Sequence, residues 1–145
     1  MRVTRRAGRP PSRVRDLMTT GVVSTDENEC LSDIAIRMRD QAVGAVAIME
    51  DERLKGIITE RDLSRATADG LSPRVTPASV YMTPDPLTID PDEETSKAAS
   101  VMAEHGIRHL PVVEKARVIG VLSARDLLLS NELCGDLAEL AYEPW

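Results

Sequence analysis

The chain contains no phenylalanine, and only Tyr81, Tyr142 and Trp145 are aromatic. A core must therefore be filled by Val, Ile, Leu, Met and Ala, and any pocket for a nucleobase must be aliphatic. This argues against the aromatic stacking platforms on which OB-fold and RRM modules lay out single-stranded nucleic acid. Cysteine is scarce as well. Cys30 and Cys134 are too few and too far apart for a disulfide framework or a metal knuckle, and they read as buried or half-buried thiols. No apolar run approaches the ~20 residues that span a bilayer, and nothing near the N-terminus resembles a secretory signal, so the expectation is a cytoplasmic protein without membrane contact. Acidic residues are missing from positions 1–15, which hold Arg2, Arg5, Arg6, Arg9, Arg13 and Arg15, whereas the whole chain carries a net charge of −6. Positions 1–13 read as a basic, flexible, solvated tail, with contact to nucleic acid or an anionic surface as the alternative.

What is present is a duplication. At 145 residues, 42% hydrophobic and 29% charged, the chain has the size and composition of one ordinary globular domain, so any internal repeats must be small units sharing a core. A shift of 64 residues aligns Asp16 to Leu63 with Val80 to Leu127 without a gap. Identical pairs include Met18/Met82, Thr19/Thr83, Glu29/Glu93, Met38/Met102, Gly56/Gly120, Arg61/Arg125 and Asp62/Asp126.

The hydrophobic period changes in the same order in both copies. Val22 to Thr25 and Leu87 to Ile89 read as short strands. Leu31, Ile34, Ala35 and Met38, then Ala98, Ala99, Val101 and Met102, recur at helical spacing. Ala45 to Met49 and His109 to Val113 are buried strands, joined by charged turns to Leu54 to Ile58 and Arg117 to Leu122. A last helix starts at Thr59 or Ser123, with Leu127 to Leu133 prolonging the second one. The methionines at matching positions, Met18, Met38, Met82 and Met102, read as core. Each unit is βαββα and too small to cover both faces of its sheet, so the fold class is α+β (α/β-type), with the two units packed sheet to sheet about a pseudo-two-fold axis.

The sequences Gly56-Ile57-Ile58-Thr59-Glu60-Arg61-Asp62 and Gly120-Val121-Leu122-Ser123-Ala124-Arg125-Asp126 share Gly, two aliphatics, a hydroxyl residue and, three positions on, Asp. The hydroxyl and the free amides of a helix N-terminus suit a phosphate, Arg61 and Arg125 add charge-assisted bonds, and a carboxylate accepts from both hydroxyls of a ribose. Thr-x-x-Asp at a helix start is equally a capping arrangement worth ~1 kcal/mol. With the Met-Thr entries at Met18-Thr19 and Met82-Thr83 and the stretch His105 to Val113, these lines resemble a tandem pair of cystathionine-beta-synthase (CBS) domains, a Bateman module, over Val14 to Leu128.

The resemblance implies CBS domains at 14–68 and 78–133, a linker at 69–77 and a C-terminal tail at 134–145. It also implies a regulatory, non-catalytic protein that binds an adenine nucleotide (AMP, ADP or ATP) or S-adenosylmethionine as regulatory ligand, with no obligatory cofactor. In such pairs each motif's pocket is completed by the other unit. Thr59 and Asp62 would then face Pro86, Leu87, Arg108 and His109, whereas Ser123 and Asp126 would face Val22, Val23, Gly44 and Ala45. Arg108 and His109 against Gly44 and Ala45 make the Asp62 cleft the better one for phosphates. A homodimer and an unidentified protein target are further expectations. One rival is an interaction scaffold with empty clefts that docks its target through Leu133 to Trp145. The other gives the Arg-rich tail a nucleic-acid contact. His105 and His109 lie four apart, but Gly106 at a helix end separates them, so no metal site is expected. No nucleophile-base set with a family signature is visible.

Overall fold

The computed structural model describes residues 12–130; residues 1–11 and 131–145 lie outside the description. The Arg-rich tail, Cys134, Tyr142, Trp145 and the proposed docking segment therefore fall outside it, apart from the last residues of the tail. The elements are α1 (Val14–Leu17), β1 (Ser24–Thr25), α2 (Leu31–Gln41), β2 (Ala45–Glu50), β3 (Arg53–Thr59), α3 (Glu60–Ala68), α4 (Ala78–Tyr81), β4 (Thr83–Pro84), α5 (Thr95–His105), β5 (His109–Glu114), β6 (Arg117–Ser123) and α6 (Ala124–Leu129). Helix α6 is capped at Ser130. The rest of the extension expected to Leu133 lies beyond the described residues.

The two hairpins are copies of each other. β2 pairs antiparallel with β3 and β5 with β6, and each ladder slips at the same place, between Ile48 and Met49 and between Val112 and Val113. Their two-residue turns place Asp51 and Glu52, and Lys115 and Ala116, at positive φ in both central positions, the geometry whose twist suits a tight hairpin. Helix α2 buries Leu31, Ile34 and Met38, and α5 buries Ala98, Ala99 and Met102, as the helical spacing requires. β3 and β6 meet where the sheets face each other. Two cores result, one around Ile34, Val46, Ile48 and Ile58, the other around Met102, Leu110, Val112 and Leu122.

The first strand of each repeat is shorter than its hydrophobic pattern suggests. Of Val22 to Thr25, only Ser24 and Thr25 form β1, parallel to β2. Of Leu87 to Ile89, only Ile89 makes a bridge, to Val112. Asp85 at φ 45° turns the chain, and Pro86 has no amide to donate, so the ladder cannot start earlier.

The entry segments exchange between repeats. Val14, at the start of the first repeat, lies in the core of the second, and Ala78, at the start of the second, lies in the core of the first. The backbone bonds that hold them are mirror copies: Val14 N–H donates to Glu93 O and Ala78 N–H to Glu29 O, each at 2.9 Å. Thr83 and Pro84 add β4 to the edge of β3, and Thr19 bridges Val121 on β6 in the same way.

This exchange explains the paired glycines. A Cβ on Gly56 would stand 2.8 Å from Met82 Sδ and 3.0 Å from Thr83 O, and one on Gly120 would stand 2.8 Å from Met18 Sδ and 3.0 Å from Thr19 O. Each glycine therefore marks where the entry strand of the other repeat crosses. Gly56→Ala is expected to lower stability by about 1–3 kcal/mol through overpacking, read as a lower denaturant midpoint with an unchanged slope.

Candidate functional site

The start of α3 is set by Thr59, the last residue of β3. Asp62 Oδ2 accepts from the Thr59 amide at 2.8 Å and from the Thr59 hydroxyl at 3.1 Å. In the second copy Asp126 Oδ2 accepts from the Ser123 amide at 2.9 Å and the Ser123 hydroxyl accepts from the Asp126 amide at 3.1 Å. Both carboxylates therefore close a capping box, so the capping role is real in each copy. Asp62 is nevertheless unusual for an aspartate in being only 5% exposed. One of its oxygens serves the cap, and the other points toward Arg65 Nη1 at 3.9 Å.

Around Asp62 lies a cleft of about 400 Å³ between the repeats. Thr59, Arg61 and Asp62 line it from the first repeat, and Pro86, Leu87, Arg108 and His109 line it from the second. The structure thus gathers every residue that the sequence assigned to this cleft. Ile57 and Ile107 add aliphatic surface, and Glu60, Arg65, Thr83 and His105 add polar groups that sequence reasoning missed. Glu60 was invisible because the repeat offset puts Ala124 in its place. In the sequence Thr83 is part of an entry motif, and only the exchanged packing brings it to the cleft. Among the described residues no cluster of His, Cys, Asp and Glu could hold a metal ion.

Several side chains are already engaged. Arg61 Nη1 donates to the carbonyl of Gly106 at 3.2 Å, linking the first turn of α3 to the left-handed residue that ends α5. The Glu60 amide donates to Gly44 O at 3.1 Å, and the two-fold mate of that bond joins the Ala124 amide to Arg108 O at 2.8 Å.

In the second group, Ser123 and Asp126 are half-buried, Arg125 is exposed, Val22, Val23 and Gly44 are half-buried and Ala45 is buried. The partner of Gly44 is the His109 ring, whose Nε2 would lie 3.1 Å from a Cβ placed there.

Burial pushes the His109 imidazole below its ordinary range near 6.5; Asp126 opposes the shift and Arg108 adds to it. A histidine depressed on folding binds more protons in the unfolded chain, so its contribution to stability is present above about pH 6.5 and is lost as pH falls below it. The loss of stability on moving from pH 7.5 to 5.5, measured by urea unfolding, is expected to be smaller in His109→Asn than in the parent.

Comparison with known proteins agrees with this architecture. The CBS domain model matches residues 14–69 and 78–130. The chain is 35% identical over 128 residues to the CBS domain-containing protein YhcV of Bacillus subtilis, covering 86% of this chain and 91% of that one. It is 32% identical to Hypoxic response protein 1 of Mycobacterium tuberculosis, covering 78% and 80%. Among solved structures, the CBS domain protein PAE2072 from Pyrobaculum aerophilum, complexed with AMP, superposes with a TM-score of 0.76 at 31% identity over 91% of this chain and all of that one. The chain belongs to the CBS domain family, and it is a tandem pair of two such domains. Among the described residues, no helix is long and apolar enough to cross a membrane.

Proposed function

We propose that the protein is a regulatory sensor that binds an adenine nucleotide or a related adenosyl ligand, such as S-adenosylmethionine, in the cleft at Asp62 and performs no chemistry on it. The observation that carries this reading is the convergence on one cleft of a buried carboxylate, a helix N-terminus, three arginines and an aliphatic wall. The adenine would lie against Ile57, Leu87 and Ile107, satisfying a chain without aromatic platforms. The Asp62 oxygen that faces Arg65, beyond hydrogen-bond distance, would accept from the ribose hydroxyls. A phosphate would sit by the Thr59 hydroxyl and the first turn of α3, with Arg61, Arg65 and Arg108 as counter-charges. A relative of 31% identity with AMP bound supports the ligand class.

Signalling follows from differential affinity for two arrangements. A phosphate is a stronger acceptor for a guanidinium than the Gly106 carbonyl is, so binding would draw Arg61 off the end of α5 and loosen that tie between the repeats. The exposed Leu128 and Leu129 on α6 and Ile36 on α2 are apolar surface through which a homodimer or a target would read the change.

A thermal-shift panel of AMP, ADP, ATP and S-adenosylmethionine tests the reading. A ligand present at 100 times its dissociation constant stabilises by ~2.7 kcal/mol, and at least one member is expected to raise the melting temperature. A panel without any shift would instead support a scaffold with empty clefts.

A further inference from the structure

Polar residues of the Asp62 cleft have no polar counterpart in the other repeat. Glu60, Arg65, Arg108 and His109 line it, and the residues 64 positions away are Ala124, Leu129, Gly44 and Ala45. The two arginines, with Arg61, suit an anion; Glu60 works against one. Glu60 is the first residue of α3, and its amide donates to Gly44 O at 3.1 Å, which pins the start of the helix to the segment between α2 and β2. Its carboxyl carbon lies 3.5 Å from where a Cβ on Gly44 would stand, and His109 Nε2 lies 3.1 Å from the same point. Although Glu60 is exposed, its carboxylate is thus laid over Gly44 on the wall of the cleft. With Asp62 it sets two carboxylates against the guanidiniums of Arg61, Arg65 and Arg108, a surplus of one positive charge. Arg61 is moreover already bonded to Gly106 O. We propose that Glu60 is the specificity-determining residue of this cleft, setting it to take an adenosyl ligand with at most one phosphate and to reject a triphosphate. This rests on the nucleotide reading above.

The argument is one of charge balance. A monophosphate carries about two negative charges near neutral pH and a triphosphate about four. Against a surplus of one, the first is nearly balanced and the second overfills the cleft. Each added phosphate therefore meets the Glu60 carboxylate with less positive charge left to offset it. Like charges repel more strongly between low-dielectric walls than in bulk water, and dissolved ions screen the repulsion. Glu60 acts through ligand charge: it is indifferent to adenine and ribose, penalises each phosphate, and favours the sulfonium and ammonium of S-adenosylmethionine. A residue needed only to start α3 would affect every ligand alike.

Calorimetric titration of the full chain and of Glu60→Gln with adenosine, AMP, ATP and S-adenosylmethionine, at one pH and without divalent cations, tests this. The parent is expected to bind AMP at least about 10-fold more tightly than ATP. In Glu60→Gln, AMP should gain about 3-fold and ATP about 10-fold, and both gains should shrink at high salt. Adenosine should be unchanged and S-adenosylmethionine should bind more weakly. Glu60→Lys should carry the same trend further. An equal change for all four ligands, no gain for ATP, or a parent that prefers ATP to AMP would each overturn the proposal while leaving an adenosyl sensor in place. No binding of any of the four to the parent would overturn both readings together.

Discussion

Replacing Asp62 with alanine is expected to weaken AMP binding by roughly 10- to 100-fold, because each hydrogen bond to a charged group is worth ~1.5–3 kcal/mol and one carboxylate oxygen, facing Arg65 across 3.9 Å, accepts no hydrogen bond from the cap. The same change removes the acceptor for the Thr59 amide, at a cost of about 1 kcal/mol in stability. Both must be measured on one sample, affinity by calorimetry and stability by urea unfolding. Asp62→Asn separates the two roles. An asparagine still caps α3 through its carbonyl oxygen, so it should recover most of the stability. Without the negative charge it should recover little of the affinity. A purely structural Asp62 would give the opposite pattern, with stability lost in the alanine variant and AMP binding untouched in both.

The second large effect lies far from the cleft. Val14→Asp is expected to destabilise by at least about 3 kcal/mol, since it places an unpaired carboxylate at a position with no solvent exposure, packed with Ala98, Met102 and Leu110. The location of the damage matters more than its size. Val14 begins the first repeat, yet its backbone is held by Glu93 and its side chain by the core of the second. Hydrogen exchange should therefore show α5, β5 and β6 losing protection before α2 and β2 do. Loss confined to the first repeat would mean that the entry segments are not exchanged.

That exchange is also what local sequence pattern does not encode. The hairpins were legible because Ala45 to Met49 and His109 to Val113 are apolar runs bounded by charged turns, and the helices because Leu31, Ile34 and Met38 keep a strict period. The 64-residue offset carried the pseudo-symmetry. An offset, however, is blind to whether an entry segment packs on its own repeat or on its mate, since both arrangements satisfy the same pairing of Met18 with Met82 and Gly56 with Gly120. The answer depends on contacts between residues far apart in the chain, such as Gly56 beneath Met82 and Gly120 beneath Met18. Local pattern cannot register them. The Leu87 to Ile89 strand failed for a nearer reason, a proline and a left-handed aspartate just ahead of it.

At Asp62 the sequence groups residues that the structure also brings together. Thr59, Arg61, Asp62, Pro86, Leu87, Arg108 and His109 share one cleft. What sequence did not reveal is that Arg61 is tied across that cleft to Gly106 and that Glu60 stands inside it. The latter makes the charge balance less favourable to a long polyphosphate than Arg108 and His109 alone suggest. Nor did it reveal that the ring of His109 occupies the space a side chain on Gly44 would need, so that residues assigned to separate clefts are neighbours.

The most direct measurement is a crystal structure of the protein grown with AMP. The expected density places the ribose hydroxyls within hydrogen-bond reach of Asp62, the adenine between Ile57, Leu87 and Ile107, and the phosphate by Thr59 with Arg61 drawn away from Gly106. Density for AMP outside this cleft, or an unaltered and empty cleft at saturating AMP, would contradict it.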